Sequence, residues 1–223
     1  MSRRAVLFDF DGVIANTEPL HLVATQRALA TRRVVLSTHE YERRYLGYND
    51  RDLFATLAGD RSLSWTASEI DTLIADKGRE FEALSRGESV VYPSAARCIR
   101  RLAAMDVPLA IASGAFAHEI EAILDAADLT SHFGAIVGAA DYISGKPAPD
   151  PFVEAARRLG LSAGGAVAIE DSQWGLDSAR TAGCVTVAVT NTYPRHLLSA
   201  DFIVDSLDEI DEAFLNTAVS SRR

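Results

Sequence analysis

The chain has 223 residues, 48% of them hydrophobic, and 31 acidic against 22 basic side chains give a net charge of −9. At about 150 residues per domain this is one large domain or a domain and a half, long enough to bury a core without disulfide or metal staples. The acidic balance excludes a nucleic-acid partner bound through its phosphate backbone, and the composition excludes a collagen, a disulfide scaffold and a wholly disordered chain.

The first apolar run, residues 5–8, follows Arg3 and Arg4 and is ended by Asp9. Four apolar residues are too few for a secretory signal, and no run in the chain approaches a membrane span, so no membrane association is expected. From about Asn16 to Val90 no comparable strand occurs. Helices are expected at 18–30, 38–45, 50–57 and 68–84. The last opens on a Thr66-Ala-Ser-Glu69 capping box and carries Ile70, Leu73, Ile74, Phe81 and Leu84 on one face.

A second apolar run, 109–112, restores the strand rhythm. Ile120, Ile123, Leu124 and Ala127 then recur at helical spacing before a third run at 135–137. Pro149 opens a helix carrying Phe152, Val153, Ala156 and Leu159, and Gly160 closes it. Runs at 166–169, 186–189 and 202–204 follow, the first two separated by the stripe Leu176, Ala179, Ala182 and its terminator Gly183. Continuous rather than alternating apolar runs mark strands buried on both faces. Strand–helix–strand alternation then implies an α/β chain: a Rossmann-like, doubly wound parallel sheet core. Residues 1–16 and 91–223 form that core, and 17–90 form an inserted α-helical domain joined by two hinges. Cys98 and Cys184 both lie in apolar runs, which fits free thiols in a reducing, cytoplasmic setting better than a secreted disulfide framework.

In open parallel sheets ligands bind beyond the carboxyl ends of the strands. Asp9, Phe10, Asp11 and Gly12 follow the first run, and Ser113 and Gly114 the second. Lys146 and Pro147 come after the third, and Glu170, Asp171 and Ser172 end the fourth. Parallel topology brings all four ends to one edge. Any one of these acids alone reads as a solvated loop residue or a helix cap, and Gly-Lys-Pro alone reads as a turn. Gathered together, the carboxylates repel one another, and a hard divalent cation such as Mg²⁺ relieves the repulsion while binding a phosphate. Ser113, backbone N–H groups and Lys146 then make a phosphate cage. Spacing alone leaves open which of Asp9 and Asp11 plays which part.

Asp9-Phe10-Asp11-Gly12-Val13, Ser113-Gly114, Lys146-Pro147 and Glu170-Asp171-Ser172 resemble, in order and spacing, the four motifs of the haloacid dehalogenase superfamily. The insertion after the first motif, with Thr17-Glu18-Pro19-Leu20-His21, resembles the subgroup with a helical cap. That subgroup holds phosphoglycolate-type phosphatases, other sugar-phosphate phosphatases and β-phosphoglucomutases. The resemblance implies a phosphoric monoester hydrolase acting on a small phosphorylated substrate. Asp9 would be the nucleophile that forms an aspartyl-phosphate, and Asp11 the general acid and base. Mg²⁺ would be held by Asp9, the Asp11 carbonyl and Asp171, supported by Glu170. Ser113, Gly114 and Lys146 would bind the phosphate. Dehalogenases of the same fold lack the second aspartate, so Asp11 points to phosphoryl chemistry.

The resemblance also implies that the cap carries substrate specificity, here through the loop 46–51 with Gly47, Asn49 and Arg51, and through His21 near the hinge. Arg51 is expected to meet either a second anionic group of the substrate or a neighbouring acid, and His21 either to orient groups at the site or to be an ordinary helix-face side chain. A β-phosphoglucomutase activity is the alternative. Those mutases place an Arg three residues after the loop glycine; here Asp50 stands there and Arg51 comes one later, turned by about 100° at a helix start. A non-enzymatic phospho-accepting switch is a remote alternative, since receiver domains lack both the large helical insertion and the second aspartate.

Overall fold

A computed structural model of the chain describes residues 5–85 and 90–220. The Arg3-Arg4 opening and the stretch 86–89 lie outside the described residues.

In chain order the elements are β1 (Ala5–Phe8), α1 (Glu18–Ala30), α2 (Thr38–Arg44), α3 (Asp50–Asp60), α4 (Ala67–Ser85), α5 (Pro93–Ala104), β2 (Leu109–Ala112), α6 (Ala117–Ala126), β3 (Ala135–Val137), α7 (Asp150–Arg158), β4 (Ala166–Glu170), α8 (Gln173–Thr181), β5 (Val185–Val189), β6 (Phe202–Val204) and α9 (Glu212–Ser220). All six expected strands form; β4 runs one residue further, to Glu170, and β5 begins one residue earlier, at Val185. The helices α5 and α9 go beyond the sequence expectation. For α5 the signal was present: Pro93 opens it, and Ala95, Cys98, Ile99 and Leu102 recur on one buried face.

The strands form one sheet in the order β3-β2-β1-β4-β5-β6, and every pair is parallel. The chain winds outward from β1 to β3, returns, and winds outward again from β4 to β6. The crevice between β1 and β4 is therefore the topological switch point where such sheets bind ligands.

The chain divides into two compact units, Met1–Asn16 with Ser89–Arg223 and Thr17–Glu88. In the first, small residues on the sheet (Ala5, Ala110, Ala112, Ala166, Ala168) let α7 approach closely and bury Phe152 completely. Removing such a side chain from water contributes about 2–3 kcal/mol. In the second, Leu29, Tyr45, Leu53, Phe54, Leu57 and Leu73 form a separate core among α1 to α4. The expected capping box forms at the start of α4: Glu69 N–H donates to Thr66 Oγ1 at 3.3 Å, and Thr66 N–H donates to Glu69 Oε2 at 2.9 Å. Cys98 and Cys184 are free and buried, and burial pushes the Cys98 thiol up to about 11. Among the described residues no helix is long and apolar enough to cross a membrane.

Candidate active site

Asp9 lies one residue past β1, yet its N–H still donates to the Ile169 carbonyl of β4 at 2.9 Å. Phe8 pairs with Ile169, so the next residues outward, Asp9 and Glu170, end neighbouring strands side by side. Neighbouring strands lie only about 4.8 Å apart, which forces the two carboxylates together. The chain then turns through Gly12, whose φ is +77°. A Cβ there would strike the Asp171 carboxylate and the Thr192 hydroxyl, so glycine is required both by backbone angle and by close approach.

Lys146 reaches the cluster from the β3–α7 connection, just before a cis peptide to Pro147. Its Nζ donates to Asp9 Oδ1 at 2.5 Å and to Glu170 Oε1 at 2.6 Å, and lies 5.0 Å from the centroid of the buried Phe152 ring. The second Glu170 oxygen accepts from the Asp171 N–H at 2.9 Å, the Ser172 N–H at 3.0 Å and the Ser172 hydroxyl at 2.9 Å. Ser172 Oγ in turn accepts from Gly175 N–H at 3.2 Å and so caps α8. Gly175 packs directly on the Glu170 carboxylate, and a Cβ there would overlap it. Glu170, 1% exposed, is thus saturated by donors and braces the site from behind.

Ser113 is buried one strand over, just past β2. Its N–H donates to the Val137 carbonyl at 3.0 Å, its Oγ accepts from Ala115 N–H at 3.0 Å, and its carbonyl accepts from Tyr142 at 3.0 Å. Gly114 beside it is exposed. Asp11 is half-buried and close enough to add to the field at Asp9.

Among the described residues Asp9, Glu170 and Asp171 each offer a carboxylate oxygen, all within 4.8 Å of one another. One ammonium faces these three buried acids. Burial pushes the Asp9 carboxyl up to about 8 against the pull of Lys146, with Glu170 and Asp11 adding to the rise. Asp171 is likewise raised, by burial first and then by Glu170 and Asp9. Burial alone would pull the Lys146 ammonium down, but Asp9 and Glu170 hold it above the ordinary lysine range. The donors are all hard oxygens, and their negative charge exceeds what Lys146 balances. That combination fits a hard divalent cation and could hold one.

Residues 3–183 match the haloacid dehalogenase-like hydrolase family. The chain belongs to that family. Among curated relatives of this hydrolase, the CbbY protein of Cupriavidus necator is 35% identical over 203 residues, covering 85% of this chain and 79% of the relative. The phosphoglycolate phosphatase of Mesorhizobium japonicum is 30% identical over 198 residues, covering 88% and 87%. Among solved structures, a variant of CbbY from Rhodobacter sphaeroides in complex with xylulose-(1,5)bisphosphate superposes with a TM-score of 0.84 at 26% identity, over 96% of this chain and 99% of that one.

The remaining candidates of this hydrolase lie in the helical unit. Gly47 has a φ of +81°. Asn49 caps α3, its side chain accepting from Asp52 N–H at 2.9 Å. Arg51 pairs with Asp71, a neighbouring acid, at 2.5 Å, both side chains 58% exposed. His21 stacks on Phe81 with ring centroids 4.3 Å apart, and its Nδ1 lies 2.9 Å from Lys77 Nζ. Lys77 is buried and paired with Asp50. Sequence reasoning passed over Lys77, although a signal existed: Leu73, Lys77 and Phe81 recur at i, i+4, i+8, which places a lysine on the buried stripe of α4. It also passed over Gly175, Tyr142, Asn191 and Thr192. Of these only Gly175, three residues past Ser172, could have been suspected from spacing.

Proposed function

We propose that this hydrolase is a Mg²⁺-dependent phosphatase. It hydrolyses a small phosphorylated metabolite, a sugar phosphate or a phospho-organic acid, through an aspartyl-phosphate formed on Asp9. The observation that carries this reading is the charge imbalance at the switch point: Asp9, Glu170 and Asp171 converge on a single ammonium, Lys146. A buried anionic cluster of hard oxygens is a place for a divalent cation and, through it, for a phosphate. The activities in the names of the phosphoglycolate phosphatase relative and the sugar bisphosphate bound in the CbbY structure support the substrate class.

In this reading Asp9 attacks phosphorus in line, and the bond from phosphorus to the ester oxygen breaks. Asp11 gives its proton to the departing alkoxide. It then takes a proton from water, which attacks the aspartyl-phosphate and releases inorganic phosphate with Asp9 restored. Asp9, the Asp11 carbonyl and Asp171 would hold Mg²⁺, with Glu170 fixing Asp171 and Lys146 from behind. When bound, the cation supplies positive charge that offsets charge on the transferring group. Lys146, the Ser113 hydroxyl and the Gly114 N–H bind phosphoryl oxygens. Residues 1–16 and 91–223 serve as the catalytic core. Residues 17–90 serve as the cap that selects the leaving group, through His21 and the loop with Gly47, Asn49 and Arg51. The mutases this chain resembles carry an arginine where Asp50 stands, with Arg51 here one residue later, which favours hydrolysis over isomerisation. Two free buried thiols support a reducing, cytoplasmic setting.

A panel of phosphorylated metabolites, assayed for phosphate release with Mg²⁺ and again with chelator, tests the reading. Release is expected for at least one small phosphomonoester and is expected to vanish with chelator. β-Glucose 1-phosphate followed by phosphorus NMR belongs in the panel. Conversion to glucose 6-phosphate faster than phosphate release would overturn the phosphatase assignment.

A further inference from the structure

The loop after β5 carries no recognised motif, yet it is tied down at one residue after another. Thr190 Oγ1 donates to Asp205 Oδ1 at 2.9 Å. Asn191 Nδ2 donates to the Gly12 carbonyl at 2.8 Å, which closes the turn that follows Asp9. The Thr192 hydroxyl and the Asp171 carboxylate crowd the same side of Gly12. Gly12 sits so near this pair that a Cβ on it would strike both Asp171 Oδ2 and Thr192 Oγ1. The Tyr193 ring meets Trp174 of α8 edge-on, with centroids 5.6 Å apart and planes at 80°.

A simple crossover from β5 to β6 explains the tie at Thr190, because Asp205 lies just past β6. It does not explain Asn191 and Thr192. These reach the other way, to the turn after β1 and to the residue after β4, so one loop fastens the two strand ends that flank the switch point. Asp171 needs such a fastening. Its carboxylate is buried beside two others, and like charges at that distance push it toward any rotamer that points away. A donor fixed on Asp171 opposes that rotation and leaves the carboxylate's remaining lone pairs free for a ligand.

We propose that Thr192, braced by Asn191, is a positioning residue: its hydroxyl holds the Asp171 carboxylate in the orientation that binds the divalent cation. The inference rests on the cation-site reading of the cluster made under Proposed function. Outer-shell donors of this kind are worth about 10–100-fold in metal affinity.

Titration calorimetry with Mg²⁺ alone on metal-stripped protein tests it without reference to turnover. Four proteins are compared: the unaltered chain, Thr192→Val, Thr192→Ser and Asp171→Asn. Thr192→Val keeps the shape of the side chain and removes the hydroxyl, so an unchanged thermal midpoint and Mg²⁺ affinity weaker by about 10-fold or more are expected. Thr192→Ser, which keeps the hydroxyl, is expected to bind as the unaltered chain does, and Asp171→Asn to bind least. If Thr192→Val binds Mg²⁺ like the unaltered chain while Asp171→Asn does not bind, the positioning role is overturned and the cation site stands. If Thr192→Ser falls as far as Thr192→Val, the hydroxyl is not the cause and the proposal also fails. If the unaltered chain takes up no Mg²⁺, the cation-site reading and this inference fall together.

Discussion

Each unit of this hydrolase buries a lysine among polar partners, and the two clusters differ in one respect. In the sheet unit Lys146 faces Asp9 and Glu170, with Asp171 beside them, so three carboxylates share one ammonium. In the helical unit Lys77, its side chain 7% exposed, faces one carboxylate, Asp50, and one imidazole, His21. The second cluster is closed, since its charges cancel and its donors and acceptors meet one another. The first is open: burial, with Glu170 and Asp11 adding to it, pushes the Asp9 carboxyl up to about 8 against the pull of Lys146. A buried lysine by itself says little about function. The balance around it separates a site that holds itself together from one that could hold a cation.

Four variants would break or sharpen this contrast. The largest effect is expected at the open cluster. Asp9→Asn removes the proposed nucleophile and should lower phosphate release by about 10³-fold or more, because the proposed covalent step is lost with its carboxylate. The circular dichroism spectrum should stay native; substantial residual turnover in that variant would sink the assignment. The closed cluster should respond in stability. Asp50→Asn leaves Lys77 buried opposite a neutral partner and is expected to cost about 2–3 kcal/mol by urea denaturation. Replacing both partners, Lys77→Met with Asp50→Leu, should recover most of that loss, since a closed pair can be exchanged for apolar packing. A single Asp50→Asn variant as stable as the unaltered chain would mean that Lys77 is not held by this pair. The smallest effect is expected at Arg51→Ala, within about 0.5 kcal/mol, because an ion pair as exposed as Arg51–Asp71 is screened by water.

Much of the core was legible in the sequence for a physical reason. Strands buried on both faces must be continuously apolar, and a chain that alternates them with helices has few ways to pack. Asp9, Lys146, Glu170 and Asp171 could be picked out because each follows such a run. Glu170 was expected as support for a metal site, and the structure shows it saturated by Lys146, Ser172 and two backbone N–H groups. Asn49 and Arg51 were singled out as specificity residues, and within their own unit they cap a helix and pair on its surface. Lys77 was visible only to someone asking why a lysine sits on an apolar stripe.

The sequence by itself determined the strands, the inserted helical block and the identity of the acids at the strand ends, because all of these follow from local periodicity and chain order. It could not determine which side chains are satisfied and which are left wanting. That depends on partners far along the chain: Lys146 meets Asp9 across 137 residues, and Asn191 meets Gly12 across 179. Only the folded sheet, which places β4 between β1 and β5, brings Thr192 to Asp171 and decides that one buried lysine is balanced and the other is not.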